Sequence, residues 1–273
     1  MRLHSRAGND MTARYRDIVD GVYPADVVLD GDNVALDEDG LPSFELQQIR
    51  MNLHQGHGSP RPVRVSYIVF DLLHRDRSLL RYPIEERRDA LRELDRPVSC
   101  VVAEQYRAES GPIWDFVLEH DLEGIVAKRT GSTYQPGVRS PDWRKIGNFK
   151  QMRAVVGGFT RGSGGRAATF GALLVGLWGD GELHWVGAVG SGFNEKALVA
   201  IRAALDEMTV GSSPFATNPE LPDDATWVEP RLVAMVRFKQ WTAAGRLRAP
   251  SFKGFTDSPA RAATWAAEAP ERR

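Results

Sequence analysis

The chain has one cysteine, six lysines and no long apolar run in 273 residues, and each scarcity closes off a class of protein. A single cysteine excludes a disulfide within the chain. Cys100 sits in "VSCVV", with no cationic neighbour in sequence to lower its pKa, and reads as an inert buried thiol rather than a nucleophile. No stretch of roughly 18 apolar residues is present, as a membrane-spanning helix would require. The opening "MRLHSRAGNDMTARYRDIVDG" lacks the apolar segment and small-residue cleavage site of a signal peptide. The expectation is a cytoplasmic protein with no membrane partner.

The basic residues are lopsided. Lysine occurs at 128, 145, 150, 196, 239 and 253 only, which leaves 29 of the 35 basic residues as arginine. Arginine suits bidentate phosphate contacts but stays protonated and cannot act as a nitrogen nucleophile, so covalent amine chemistry has six candidates. Net charge is -1, so any nucleic-acid partner must be met by a local basic patch rather than a global field.

What is present is a globular composition, 42% hydrophobic, long enough for one large or two smaller domains. In the first half, "DVVLDGDNVALDEDGLP", "RVSYIVFDLLH" and "PVSCVVAEQY" read as strands, and "PIEERRDALREL" and "GPIWDFVLEHD" read as helices leading to the strand "LEGIVAKR". Asp39-Gly40 marks a turn, and Pro83 suits the first turn of a helix. After Lys150 the texture changes to glycine-punctuated strands, "AVVGGFT", "FGALLVGLW" and "ELHWVGAVGSGF", the pattern of a small antiparallel barrel. The helix "NEKALVAIRAALDEM" follows, then strand-like "WVEPRLVAMVRFKQWT" and "LRAPSFKGF", and an Ala/Arg/Pro tail expected to fray. The class is α+β, with domains at 1–150 and 151–273.

The stretch "EGIVAKRTGSTYQPGVRSPDWRK" can aim the Glu123 carboxylate and the cations Lys128 and Lys145 at one phosphate and its metal ion; the rival reading is a solvated sheet edge. Ser5-Arg6, Asp30-Gly31-Asp32, Phe70-Asp71, "EGIVAKR", "DWRK" and the glycine-rich barrel motifs through "RAPSFKGF" stand in a fixed order along nearly the whole chain. In that order the chain resembles the ATP-dependent DNA ligases, particularly the bacterial end-joining repair type. The resemblance implies a nucleotidyltransferase (adenylation) domain lacking its first strands, followed by a C-terminal OB-fold barrel. It implies ATP and Mg2+ as cofactors, a ligase-AMP intermediate, and nicked or broken duplex DNA as substrate, with other end-joining or repair proteins as partners.

By the same resemblance Arg6 touches the AMP phosphate, Phe70 stacks on adenine, Asp32 stands where the family has a glutamate near the ribose, Glu123 holds the metal ion and Lys145 contacts the α-phosphate. Read alone, Phe70 in an apolar strand is core and Asp32 shapes a turn. Lys128, Arg237, Lys239, Arg246, Arg248 and Lys253 are the expected DNA contacts.

Four departures bear on activity. No Lys-x-Asp-Gly precedes Ser5, so the family's nucleophilic lysine is missing, and no other lysine reads as its substitute. Asp32 is one methylene shorter than the glutamate. The family's paired lysines appear as Lys145-Ile146-Gly147, and the cationic element expected after "SFKGF" is Thr256-Asp257-Ser258-Pro259. The expectation is a ligase-family protein sealing nicks, of doubtful competence. Its rivals are a catalytically dead relic serving as a non-specific DNA-binding module, or the product of a truncated or mis-started gene. His54-Gln55-Gly56-His57 has a metal-like spacing but reads as a surface loop.

Overall fold

The computed structural model describes residues 1–52, 63–106, 111–216 and 220–269. The His54–His57 stretch lies outside these. The chain forms two compact units, Met1–Asn148 and Phe149–Arg273.

In the first unit β1 (Val27–Ala35) pairs antiparallel with the long β2 (Val65–Arg75), which also carries the short β3 (Arg77–Ser78) and, in parallel, β4 (Cys100–Val102). Alternation along β2 sends Val65, Tyr67 and Val69 into a core with Leu3, Ile18, Leu91 and Cys100. α1 (Arg16–Val19) and α3 (Ile84–Arg92) cover that face of the sheet. α3 buries Ile84, Arg87, Arg88 and Leu91, the i, i+3, i+4, i+7 stripe of an amphipathic helix, so two arginines sit on its inner face. α2 (Phe44–Asn52), which has no strong apolar stripe, was not legible in the sequence.

A helix, α4 (Gly111–Glu119), precedes a separate two-stranded hairpin, β5 (Gly124–Lys128) with β6 (Trp143–Gly147). Gly124 is required where this hairpin begins. Its φ is +124°, and a Cβ there would collide with the Ile146 carbonyl.

The second unit is an antiparallel sheet in which β7 (Lys150–Arg161) pairs with β8 (Phe170–Gly179), β11 (Ala225–Val228) and β12 (Val233–Phe238). β9 (Glu182–Val189) extends from β8, β10 (Thr209–Val210) from β11 and β13 (Ser251–Thr256) from β12. Backbone bonds from Leu247 to Val186 and from Phe252 to Ser191 link the two ends of the ladder. Val155, Leu174, Val186 and Val236 are among the wholly buried residues inside. α5 (Glu195–Asp206) is capped by Asn194, whose side chain accepts from the Ala197 N–H at 2.8 Å.

Two expectations change here. The run "WVEPRLVAMVRFKQWT" is two strands broken at Glu229–Leu232, where Pro230 cannot donate to a ladder. The tail does not fray as far as Glu268: Ala263 is buried, α6 (Trp265–Glu268) follows, and Glu268 accepts from the Arg153 backbone and guanidinium.

Candidate nucleotide site and basic face

The site is built around an irregularity in β2. Asp30 opposes Asp71 and Gly31 opposes Val69, which leaves Phe70 as the extra residue of a β-bulge. Alternation holds from Val65 to Asp71, so Phe70 stays partly exposed between the buried Val69 and Asp71; it breaks at Asp71 and Leu72, both fully buried, beside a second register shift between Val28 and Leu29. Gly31 makes the bulge possible, since a Cβ there would lie 2.6 Å from the Ile68 carbonyl oxygen.

Over Phe70 stands the hairpin. Lys128 and Trp143 are direct cross-strand partners, as are Val126 and Lys145, so these four side chains share a face. The Lys128 amine lies 4.2 Å from the Phe70 ring centroid and 3.8 Å from that of Trp143. The two rings meet edge-on at 6.0 Å, and Tyr134 meets Trp143 edge-on at 5.6 Å. Tyr134 donates to an Asp30 carboxylate oxygen at 2.6 Å.

The electrostatics follow from burial. The Lys128 amine is out of solvent with no hydrogen-bond partner among the described residues. Desolvation pulls it down from its ordinary 10.5 to about 8; Asp71 and Asp30 oppose this, while Arg88 and Arg87 reinforce it. The ring faces also favour the charged form. Asp30 is held above the usual carboxylate range, chiefly by burial, against the hydrogen bond from Tyr134. Tyr134 is itself raised, by burial and then by its bond to Asp30.

Beneath lies the support. Arg87 grips both Asp71 oxygens at 2.8 Å and donates to the Tyr82 and Ser132 carbonyls, which ties the loop carrying Tyr134 to β2. Arg88 donates to the carbonyl of Phe70 itself at 3.1 Å.

The other expected residues fall into place as follows. Glu123 and Lys145 form an ion pair at 3.3 Å, both partly open to solvent. Asp32 is exposed on β1, opposite Ile68. Arg6 is exposed in a tight turn closed by the Gly8 N–H on the Ser5 carbonyl and the Asn9 N–H on the Ser5 hydroxyl. Lys128, expected to contact phosphate or DNA, has its amine buried against the Phe70 and Trp143 rings. Tyr134 and Trp143 were not singled out in the sequence, although "STYQ" and "DWRK" contain them, and Asp30 was named only within the Asp30-Gly31-Asp32 motif, without a role of its own.

On the second unit, Arg237 alternates with the buried Val236 and Phe238 on β12, and Lys239 follows the end of that strand. Lys253 is the unpaired residue where Met235 opposes Gly254 and Val236 opposes Phe252, and it is exposed. Arg237 stacks on Phe149 at 4.3 Å. Arg248 bonds the Gln240 side chain. Arg246 is already engaged, with two nitrogens on Glu220, a third on the Trp185 carbonyl, and its guanidinium over the Trp185 ring.

The first unit is an α+β domain with aromatic, acidic and lysine residues gathered at one hairpin and the second an OB-type barrel, the fold class of the adenylation-plus-OB nucleotidyltransferases. Comparison with known proteins narrows the class. Residues 1–147 match the profile described as "ATP dependent DNA ligase domain", and residues 166–258 match "ATP dependent DNA ligase C terminal region". The chain belongs to the ATP-dependent DNA ligase family. It is 38% identical over 260 residues to the multifunctional non-homologous end joining DNA repair protein LigD of Mycobacterium tuberculosis, covering 93% of this chain and 33% of that protein. With LigD of Pseudomonas aeruginosa it shares 34% over 281 residues, 97% of this chain and 32% of that one. The chain thus spans about a third of the length of these relatives. A solved structure of a Lig E DNA ligase has the same fold, with TM-score 0.58 at 19% identity, covering 94% of this chain and 86% of that one.

Proposed function

We propose that this chain serves the nick-sealing step of DNA end joining, with residues 1–150 as the adenylation portion and the barrel as a DNA-binding module. The observation that supports this is the hairpin, which presents Trp143, Lys128 and Lys145 on one face, against the bulged Phe70. On this reading Phe70 offers a ring to the adenine, Asp32 on the neighbouring strand serves the ribose, and Arg6 and Lys145 are cations for the phosphates.

The donor set fits a magnesium ion of the kind that keeps most of its waters. No cluster of three or more His, Cys, Asp or Glu is present among the described residues. One carboxylate plus substrate phosphates is the usual magnesium arrangement. Glu123 would hold the ion, which when bound neutralises charge on the phosphates being exchanged. Lys145 pairs with the same Glu123 carboxylate at 3.3 Å. The partners on this reading are nicked or broken duplex DNA and other end-joining proteins.

Sealing a nick that already carries AMP needs no lysine nucleophile. The test is therefore a paired assay of the chain on ATP with plain nicked duplex and on pre-adenylated nicked duplex, both with magnesium. Sealing of the pre-adenylated nick, lost in E123A and K145A, supports the reading. Salt-sensitive DNA binding without any sealing would replace it with a binding module.

A further inference from the structure

The Lys128 amine sits on the faces of two rings, at 4.2 Å from one centroid and 3.8 Å from the other. A base stacked on Phe70 would lie in van der Waals contact with the ring, about 3.5–4.0 Å from its atoms, so amine and base cannot occupy that face together. The amine is also the one side-chain nitrogen of the hairpin that is buried without a hydrogen bond among the described residues. A buried cation that lacks donors' partners is costly to hold, and is easily exchanged for a neutral aromatic ligand.

We infer that Lys128 is an internal stand-in for the nucleotide: a purine entering the Phe70 cleft displaces the amine, and the released ammonium joins Lys145 on the same hairpin face at the phosphates. This rests on the nucleotide reading of the site and assigns Lys128 a role in it. It also supplies a second cation beside Lys145, at a site where position 147 is glycine. Lys128 lies directly opposite Trp143, and Lys145 opposite Val126, so the two lysines are diagonal neighbours within reach of one anion.

The exchange takes up a proton. In the cleft the amine titrates near 8, with Asp30 on β1, Asp71 on β2 and Arg87 and Arg88 on α3 acting on it; in water or beside phosphate it returns to 10.5 or above. Binding thus favours the protonated amine, and affinity is highest below pH 8 and falls as pH rises through it. From pH 7 to pH 9 the expected loss is about tenfold, with uptake of about 0.1 proton per nucleotide at the lower pH and about 0.9 at the higher.

The experiment is calorimetric titration of the full chain with ATP and with adenosine, at pH 7 and 9, in buffers of different ionisation enthalpy. K128R keeps the charge but cannot lose its proton, so the proton uptake assigned to Lys128 and the associated pH dependence should vanish while binding remains. K128A leaves the cleft open: adenosine should bind at least as tightly as to wild type, while the preference for ATP over adenosine falls about tenfold, one charge-assisted contact. Wild-type pH dependence no greater than that of K128R would overturn the inference, as would an equal loss of ATP and adenosine binding in K128A, which marks a merely structural lysine. If wild type and both variants bind neither ligand at either pH, the nucleotide reading itself fails and takes this inference with it. That result is distinct from the other two, because there binding persists.

Discussion

Asp71 and Arg87 form a two-bonded ion pair at 2.8 Å with neither side chain exposed to solvent. The pair does more than neutralise two charges, because the remaining Arg87 donors reach the Tyr82 and Ser132 carbonyls and fix the loop that brings Tyr134 to Asp30. Removing one partner leaves the other charged and buried, an effect of about 3–5 kcal/mol. R87M should therefore unfold the first unit at much lower denaturant, whereas the double variant D71L/R87M should recover most of the loss. Chemical denaturation followed by tyrosine fluorescence reads this directly, since all six tyrosines lie before residue 149.

Gly124 carries a second prediction. At φ +124°, with the Ile146 carbonyl where a Cβ would go, G124A must distort the start of the hairpin. We expect a loss of about 1–3 kcal/mol together with weaker ATP binding, because the same strand places Lys128 and pairs with the one carrying Lys145. Unchanged stability and binding would mean that the hairpin tolerates a shift in its opening turn.

Much of this was legible in the sequence, and what was not has physical reasons. Strands β1, β2, β8 and β9 announce themselves by apolar runs between turn residues, and Glu123-Gly124 and Phe70-Asp71 fall in order. The bulge at Phe70 is invisible to a period-two pattern, because it arises from how β1 registers on β2. The inward turn of Lys128 depends on two rings from distant segments, Phe70 and Trp143. The tail reads as frayed by composition, yet Glu268 finds Arg153 across 115 residues.

Alkaline pH should act on the first unit in two opposed steps. Lys128 has a folded value of about 8, below its ordinary 10.5, so the unfolded chain binds more protons between these values and stability rises with pH there. Tyr23 is pushed up to about 12 by burial, and Tyr67 and Tyr134 are raised too, so above pH 10 the unfolded phenols ionise first and stability is lost. A plot of unfolding free energy against pH should climb above 8 and drop beyond 10. K128M should lack the climb and keep the drop; a flat wild-type curve up to pH 10 would contradict the buried amine.

The barrel face gives the last prediction. Phosphate contacts release counterions, so log affinity should fall linearly with log salt, with each neutralised phosphate adding about 0.9 to the slope. K253A, at an exposed bulge position, and R237A, outward on β12, should each flatten the slope by about that amount without altering sequence preference. R246A should not, because Glu220 at 2.7 Å and the Trp185 carbonyl at 2.8 Å already hold its guanidinium; its loss should appear instead as lower thermal stability of the second unit. Filter binding of a nicked duplex across a salt series, beside thermal unfolding of each variant, separates the two effects. A slope for R246A as shallow as that for K253A would show that Arg246 leaves Glu220 for a phosphate when DNA arrives, so that the ion pair is a resting contact rather than a structural one.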